Sequence, residues 1–371
     1  MRKALDSLLS ACFICVAAVG AGCMHSHHSL TEPRFISKQI TPQAKTRDSS
    51  SSVLSSPRYL TIGDAVLAME SCLGATDDDR RIFENILQKG KSRIVPKERY
   101  SLDEARTVFQ TIHEIITEEG YTCQDQDLLF QGLRMKKIDC DMRSLIYLSM
   151  GDMLKLPIRG VTMPYHMFVR FKCDDGSSVN WETTRGISLN DEYYLKELSL
   201  QINQGRVENK LSQLPSEQWV LKEYTSEEMI HERTERTISE SFKQNPVEGV
   251  THEPDGLMMR IPGHAFHDRA RPLYEICADY LGSLVVREPE RLEVRIARGD
   301  AFREAQLYDN ALADYTYVLQ RLPKNRNVLD RRSKTYYQKA SNVGNYAEQI
   351  VLMQRGKQDE DAVQRLRLNE Q

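Results

Sequence analysis

The stretch that decides the fold runs Lys136-Lys137-Ile138-Asp139-Cys140-Asp141-Met142-Arg143-Ser144-Leu145. It continues through Leu156-Pro157, Gly160-Val161 and Met163-Pro164-Tyr165-His166, and it closes on Val179-Asn180-Trp181-Glu182-Thr183-Thr184. Met142, Leu145, Ile146, Ser149, Met150 and Met153 recur at helical spacing and mark one face of a helix that begins near Cys140 and ends before Pro157. Two or three short strands are expected after it, over residues 160–163, 167–171 and 179–183, with Asp174-Asp175-Gly176 as the turn between the last two. A helix followed by antiparallel strands is an α+β arrangement.

In this order a cysteine opens a helix, a histidine opens a strand and a carboxylate lies on the next strand. Such an order permits a thiol-imidazole-acid triad, in which Cys140 attacks, His166 takes and returns the proton, and a third group orients the ring. Strand alternation puts Asn180 and Glu182 on one face, with Val179, Trp181 and Thr183 on the other, so either polar residue is a candidate for that third group. The helix dipole and a protonated His166 favour a Cys140 thiolate, whereas Asp139 and Asp141 on either side oppose it; Asp139 also fits a helix cap. For an oxyanion the sequence offers the Cys140 backbone N–H, with Gln124, Gln126 and Gln131 upstream as candidates for a second donor.

Working toward the N-terminus, helical periodicity runs through Ala105, Val108, Phe109, Ile112, Ile115 and Ile116, through Ile82, Phe83, Ile86 and Leu87, and through Thr61, Ile62, Ala65, Val66 and Met69. Ser101 with Glu104 three residues on is a capping-box start, Gly120 is a stop, and His113 is expected on its helix surface. Residues 24–58 are rich in Ser, Thr, His and Pro and read as a flexible tether. Before them Arg2 and Lys3, an apolar run over residues 8–19 and the small residues Ala21 and Gly22 read as a targeting segment over residues 1–23. Val19-Gly20-Ala21-Gly22-Cys23 resembles a bacterial lipoprotein box, which makes Cys23 a candidate for lipidation, with ordinary signal cleavage as the alternative. Either implies an exported protein, in the periplasm or held at a membrane by its lipid, with no other membrane contact.

Toward the C-terminus, residues 201–257 read as a mixed-charge helical stretch around Trp219 to Phe242 and then a loop over 245–256, with no function assigned. A repeat follows within residues 258–371. Pro289 and Pro323 stand 34 residues apart, and Gly299, Phe302, Tyr308, Ala311, Tyr315 and Pro323 fall at the offsets of a tetratricopeptide repeat. Tyr274, Cys277, Leu281, Leu284 and Pro289 occupy the preceding register, and Ser333 and Tyr336 begin a third unit that loses register at 341–344. At its small position Cys277 reads as a packed core thiol.

The Cys140-to-Thr184 run resembles the transglutaminase-like cysteine-histidine-acid superfamily in its bacterial form coupled to tetratricopeptide repeats. The resemblance covers roughly residues 131–198 and implies a papain-like core over residues 59–200 followed by an all-α repeat region. It implies Cys140 as nucleophile, His166 as base and Glu182 as the acid; family members often carry Asp there, which leaves Asn180 as a rival. The run Asp191-Glu192-Tyr193-Tyr194-Leu195-Lys196-Glu197-Leu198 also resembles this branch, without a catalytic role.

Composition narrows the functions. Fifty Lys and Arg against fifty-three Asp and Glu give a net charge of −3, which leaves no basic excess for a nucleic-acid partner. Cys72, Cys123, Cys140, Cys173 and Cys277 form an odd set with no C-x-x-C pair, so no structural metal is expected, and no cofactor is read. Two functions remain: thiol-dependent amide or acyl chemistry, by hydrolysis or transfer, or an inert scaffold whose repeats bind a protein or peptide.

Overall fold

The computed structural model describes residues 59–126, 128–163, 166–203, 221–244, 251–252, 259–260 and 263–368. The expected targeting segment with Cys23, the tether and residues 204–220, Trp219 among them, lie outside the described residues. Helices Ile62–Met69 (α1), Asp77–Arg93 (α2), Leu102–Glu118 (α3), Leu129–Met135 (α4) and Cys140–Leu154 (α5) precede strands Ile158–Met163 (β1), His166–Lys172 (β2), Ser178–Glu182 (β3) and Ile187–Ser188 (β4). A helix Asp191–Asn203 (α6), a strand Lys222–Tyr224 (β5) and a helix Ser226–Gln244 (α7) follow.

Helix α5 is the axis of this assembly. Its sequence pattern suggested one apolar face, but every residue from Met142 to Gly151 is buried, because α1 and α2 pack on one side of it and the sheet on the other. Polar groups on such a helix must find partners inside the protein. Ser149 Oγ accepts the Gly63 N–H at 2.9 Å, and Arg143 Nη2 donates to the Tyr121 carbonyl at 2.9 Å. Gly63 is required there, since a Cβ would stand 2.1 Å from Phe83 Cζ. The Ser101–Glu104 capping box starts α3, and Gly120 follows it in the left-handed region at φ 78°.

The sheet is antiparallel, in the order β4-β3-β2-β1-β5. On its helix side, Trp181 of β3 and Phe171 of β2 pack on Phe109 of α3, with ring centroids 5.7 Å apart in each case, and Trp181 Nε1 donates to Tyr147 OH at 3.0 Å. On its other face Val161, Met163 and Phe168 pack with Tyr194 of α6. β5, which pairs Val161 with Glu223, falls within the stretch read as helical. Three residues are too few to display alternation, and only the ladder with β1 makes them a strand. The loop expected at 245–256 also needs correction: Thr251–His252 (β6) pairs antiparallel with Met259–Arg260 (β7). This ladder lies outside the compact unit that holds the helices and the five-stranded sheet.

Helices Gly263–Arg287 (α8), Leu292–Glu304 (α9), Tyr308–Arg321 (α10), Arg326–Asn342 (α11) and Tyr346–Leu368 (α12) make up the C-terminal region, each packed on the next. Ala311, Tyr315, Val318, Val328 and Val363 form its core, with Phe302 against them. Gly299 lets α9 and α10 close, since a Cβ there would stand 2.7 Å from the Tyr315 ring. Arg298 and Arg332, 34 residues apart, each grip a carboxylate through two hydrogen bonds, to Asp314 and Asp359. Cys277 is buried in α8, as its small position suggested. Among the described residues no helix is long and apolar enough to cross a membrane.

One buried carboxylate joins the two regions. Asp152 near the end of α5 accepts the Ile62 N–H at 2.9 Å and the Tyr280 hydroxyl at 2.7 Å, and Arg287 Nη2 lies 3.3 Å from its other oxygen. Burial pushes its carboxyl up to about 6, against the pull of Arg287 and Tyr280. Asp152→Ala should cost about 3 kcal/mol, because the Ile62 N–H and the Tyr280 hydroxyl would stay buried without their acceptor and Arg287 would lose its carboxylate. Urea unfolding measures this, and an unchanged midpoint would contradict it.

Candidate active site

Cys140 is the first residue of α5 because Asp139 caps the helix, its Oδ1 accepting the Met142 N–H at 2.9 Å. Two contacts place the cysteine against the sheet. Thr183 Oγ1 donates to the Cys140 carbonyl at 3.5 Å, and the Met167 backbone N–H points to the sulfur. His166, immediately before Met167, is the first residue of β2, and Glu182 is the last of β3.

The β2–β3 register pairs Val169 with Trp181 and Arg170 with Asn180, so His166, Phe168 and Arg170 share a face with Asn180 and Glu182. On that face His166 Nε2 and Glu182 Oε2 are 2.6 Å apart. Glu182 is 4% exposed and fully engaged: Oε1 accepts from Thr184 Oγ1 at 2.7 Å and Thr184 N at 3.2 Å, and Oε2 also accepts from Tyr194 OH at 3.5 Å. Burial would raise this carboxyl, but the His166 bond and charge, with the Thr184 bonds, outweigh burial and hold it below its ordinary value. The Tyr194 ring stacks on Phe168 at 3.8 Å and lies 6.2 Å from the His166 ring, closing the imidazole from one side.

Asn180 has other partners. Its Oδ1 accepts from Arg170 Nε at 2.7 Å and its Nδ2 donates to Asp191 Oδ1 at 2.6 Å. Of the two residues on the shared face, the structure therefore brings Glu182 to His166 and commits Asn180 to an ion network. With Nε2 occupied by Glu182, Nδ1 is the ring nitrogen left for a thiol.

The thiol's own environment runs against the thiolate that the helix dipole favours. Burial pushes Cys140 well above its ordinary value, the charges of Asp141, Asp139 and Glu182 add to that, and the Met167 N–H pulls against them. Cys140 Sγ faces Asp141 Oδ1 at 3.7 Å. The opposite oxygen, Asp141 Oδ2, meets Arg233 at 3.4 Å and Arg236 at 3.5 Å, both from α7. Sequence reading assigned these arginines no function, because nothing in a mixed-charge helix tells which charges turn inward.

One other expectation changes. His113 is not free on its helix surface but half-buried, bonded to the Thr183 backbone and packed against Gly186, and burial followed by the Arg143 charge lowers its pKa. Gln131 is built into α4, Gln124 is exposed and Gln126 half-buried ahead of it, and none forms a hydrogen bond with Cys140 among the described residues. Cys72 and Cys123 are exposed thiols, and Cys173 and Cys277 are buried ones. Compared with models of protein families and with curated proteins, the chain matches none.

The carboxyls around this end of α5 give a pH dependence. Glu70 accepts the Leu129 and Phe130 N–H groups at 2.9 and 3.0 Å, and burial lifts it from 4.5 to about 7. Burial, then Asp141, lifts Asp139 from 3.8 to about 6. Groups whose folded values are raised keep protons that the unfolded chain releases, so they lose stability as pH rises through that interval. Glu182, held low, acts in the opposite sense at the acid end. The urea midpoint should therefore be higher near pH 5 than near pH 7.5, and Glu70→Gln should flatten the upper part of the decline. A midpoint that rises between those pH values would refute this.

Proposed function

We propose that this chain is a transglutaminase-like thiol enzyme of amide or acyl chemistry, in which Cys140 is the nucleophile, His166 the base and Glu182 the acid. The observation that carries the reading is the 2.6 Å pair of His166 Nε2 and Glu182 Oε2 beside a cysteine at a helix start. The Cys140 thiol proton passes to His166 Nδ1 as the sulfur attacks the acyl carbon. The carbon–nitrogen bond then breaks, His166 returns the proton to the leaving amine, and a thioester remains on Cys140. Water or a second amine, deprotonated by His166, releases the acyl group; the two outcomes differ in acceptor access. Glu182 keeps Nε2 protonated and stabilises the imidazolium.

Because the resting thiol is held protonated, base catalysis by His166 at the moment of attack supplies the nucleophile in this reading. The C-terminal helices are read as tetratricopeptide repeats that hold a protein or peptide, supported by the 34-residue spacing of Arg298 and Arg332 and by the close α9–α10 packing at Gly299. The N-terminal segment is read as export, with a lipid on Cys23. An inert scaffold that serves only its repeats is the second reading, and the raised thiol favours it.

p-Nitrophenyl acetate separates the two without a known substrate. Enzyme chemistry predicts a burst of nitrophenol and an acetyl group mapped to Cys140, absent in Cys140→Ala. His166→Ala and Glu182→Gln should slow acylation about 100-fold, and Asn180→Ala much less. Acetylation of Cys140 that is unchanged in His166→Ala would leave the scaffold as the better account.

A further inference from the structure

Asp141 divides its two oxygens between opposite neighbours: Oδ1 faces the Cys140 sulfur at 3.7 Å, and Oδ2 faces Arg233 and Arg236. Arg233 is 3% exposed, and its Nε and Nη1 make no hydrogen bond among the described residues. A buried guanidinium with open donors costs stability, so packing alone does not explain its place. The carboxylates that answer its charge are Asp141 first, then Glu232, Asp139 and Glu70.

We propose that Arg233 and Arg236 are positioning residues of the Cys140 site, which hold the Asp141 carboxylate by Oδ2 and so set how much of its negative charge the sulfur meets. This deepens the acyl-chemistry reading and rests on it. The charged groups around the sulfur come from every neighbouring element. Asp139 and Asp141 flank it on its own chain, with Arg143 one turn on and committed to the Tyr121 carbonyl. The sheet adds His166 and Glu182, and the segment before α4 adds Cys123, whose thiol burial raises. Glu70 stands on the short helix Glu70–Leu73, and Glu232 shares α7 with the two arginines. Around the thiol the carboxylates dominate, and Arg233 and Arg236 are the cations that meet the one nearest the sulfur. Without them Asp141 would keep its full charge, and be free to turn, beside Sγ.

The test reads the thiol directly, by mass-spectrometric mapping of iodoacetamide on Cys140 in the full chain from pH 6 to 10, with the exposed Cys72 as internal reference. Arg233→Met keeps the volume and removes the charge. It should fold less stably than the parent, since it leaves Arg236 as the one arginine on Asp141, and lower the Cys140 alkylation rate at pH 8 about threefold to tenfold, with Arg233→Lys recovering part of both losses. Arg236→Gln, at a side chain one-third exposed, should act in the same direction and carries the test if Arg233→Met does not fold. Asp141→Asn should raise the rate and, combined with either arginine variant, should abolish that variant's effect. Alkylation profiles that overlay the parent's, or arginine effects of full size in the Asp141→Asn background, would overturn the proposal. A shifted profile in a protein that p-nitrophenyl acetate does not acylate would keep the arginine pair and sink the enzyme reading, so the two fail separately.

Discussion

The Asp152 carboxylate is the constraint on which the arrangement depends. It is 7% exposed and joins segments far apart in sequence, the start of α1 at Ile62 and the middle and end of α8 at Tyr280 and Arg287. Such a cluster adds little net energy compared with apolar packing, but a missing partner is costly, so it specifies one arrangement of the helices over others. α5 is a rod of 15 residues, about 22 Å long, and Asp152 fixes one end of it. The other end is then held against the sheet by the Thr183 hydroxyl and the Met167 N–H, and there Cys140 stands.

Local signals in the chain were readable where they needed only neighbours. The capping box at Ser101, the left-handed stop at Gly120 and the turn at Asp174-Asp175-Gly176 are written in three or four residues each, and the structure carries them. The α+β character follows from a change of period between Leu154 and Ile158. What the sequence left open was the choice between Asn180 and Glu182, because alternation puts both on one face. That choice depends on Arg170 and Asp191, which claim Asn180, and on Thr184, whose N–H and hydroxyl hold the Glu182 carboxylate beside His166. Likewise β5 became a strand only through pairing with β1, and the inward turn of Arg233 has no local signature at all.

The electrostatics around Cys140 differ from a simple helix-terminus picture. A dipole at the first turn favours negative charge by typically 0.3–1 kcal/mol, roughly what one cap provides. Burial together with three carboxylates opposes it, and the thiol comes out raised. A sulfur in that setting stays protonated at rest and is protected from indiscriminate oxidation, since reactivity follows the thiolate. His166 is correspondingly well prepared, its Nε2 fixed by a charged, buried and fully hydrogen-bonded Glu182 and its ring flanked by Tyr194. In the proposed acyl chemistry this asymmetry would place the burden on the imidazole.

Helix α7 gives this asymmetry a structural cause. One part of it packs on α8 and α9, where Glu227 pairs with Arg291 and His231 Nε2 lies 3.0 Å from the Ala297 carbonyl. Another part reaches α1 and β1, and Arg233 and Arg236 extend from it to Asp141. The same helix therefore carries both the contact with the C-terminal helices and the cations nearest the acid cluster around Cys140. A core ending at α6 would leave Asp139, Asp141 and Glu70 without the charges that offset them. Buried carboxylates without a cation either protonate or draw in water. The helix read as a mixed-charge stretch without a function is thus the part that makes the charge around Cys140 tolerable, and the sheet-bearing region depends on it as much as on its own strands.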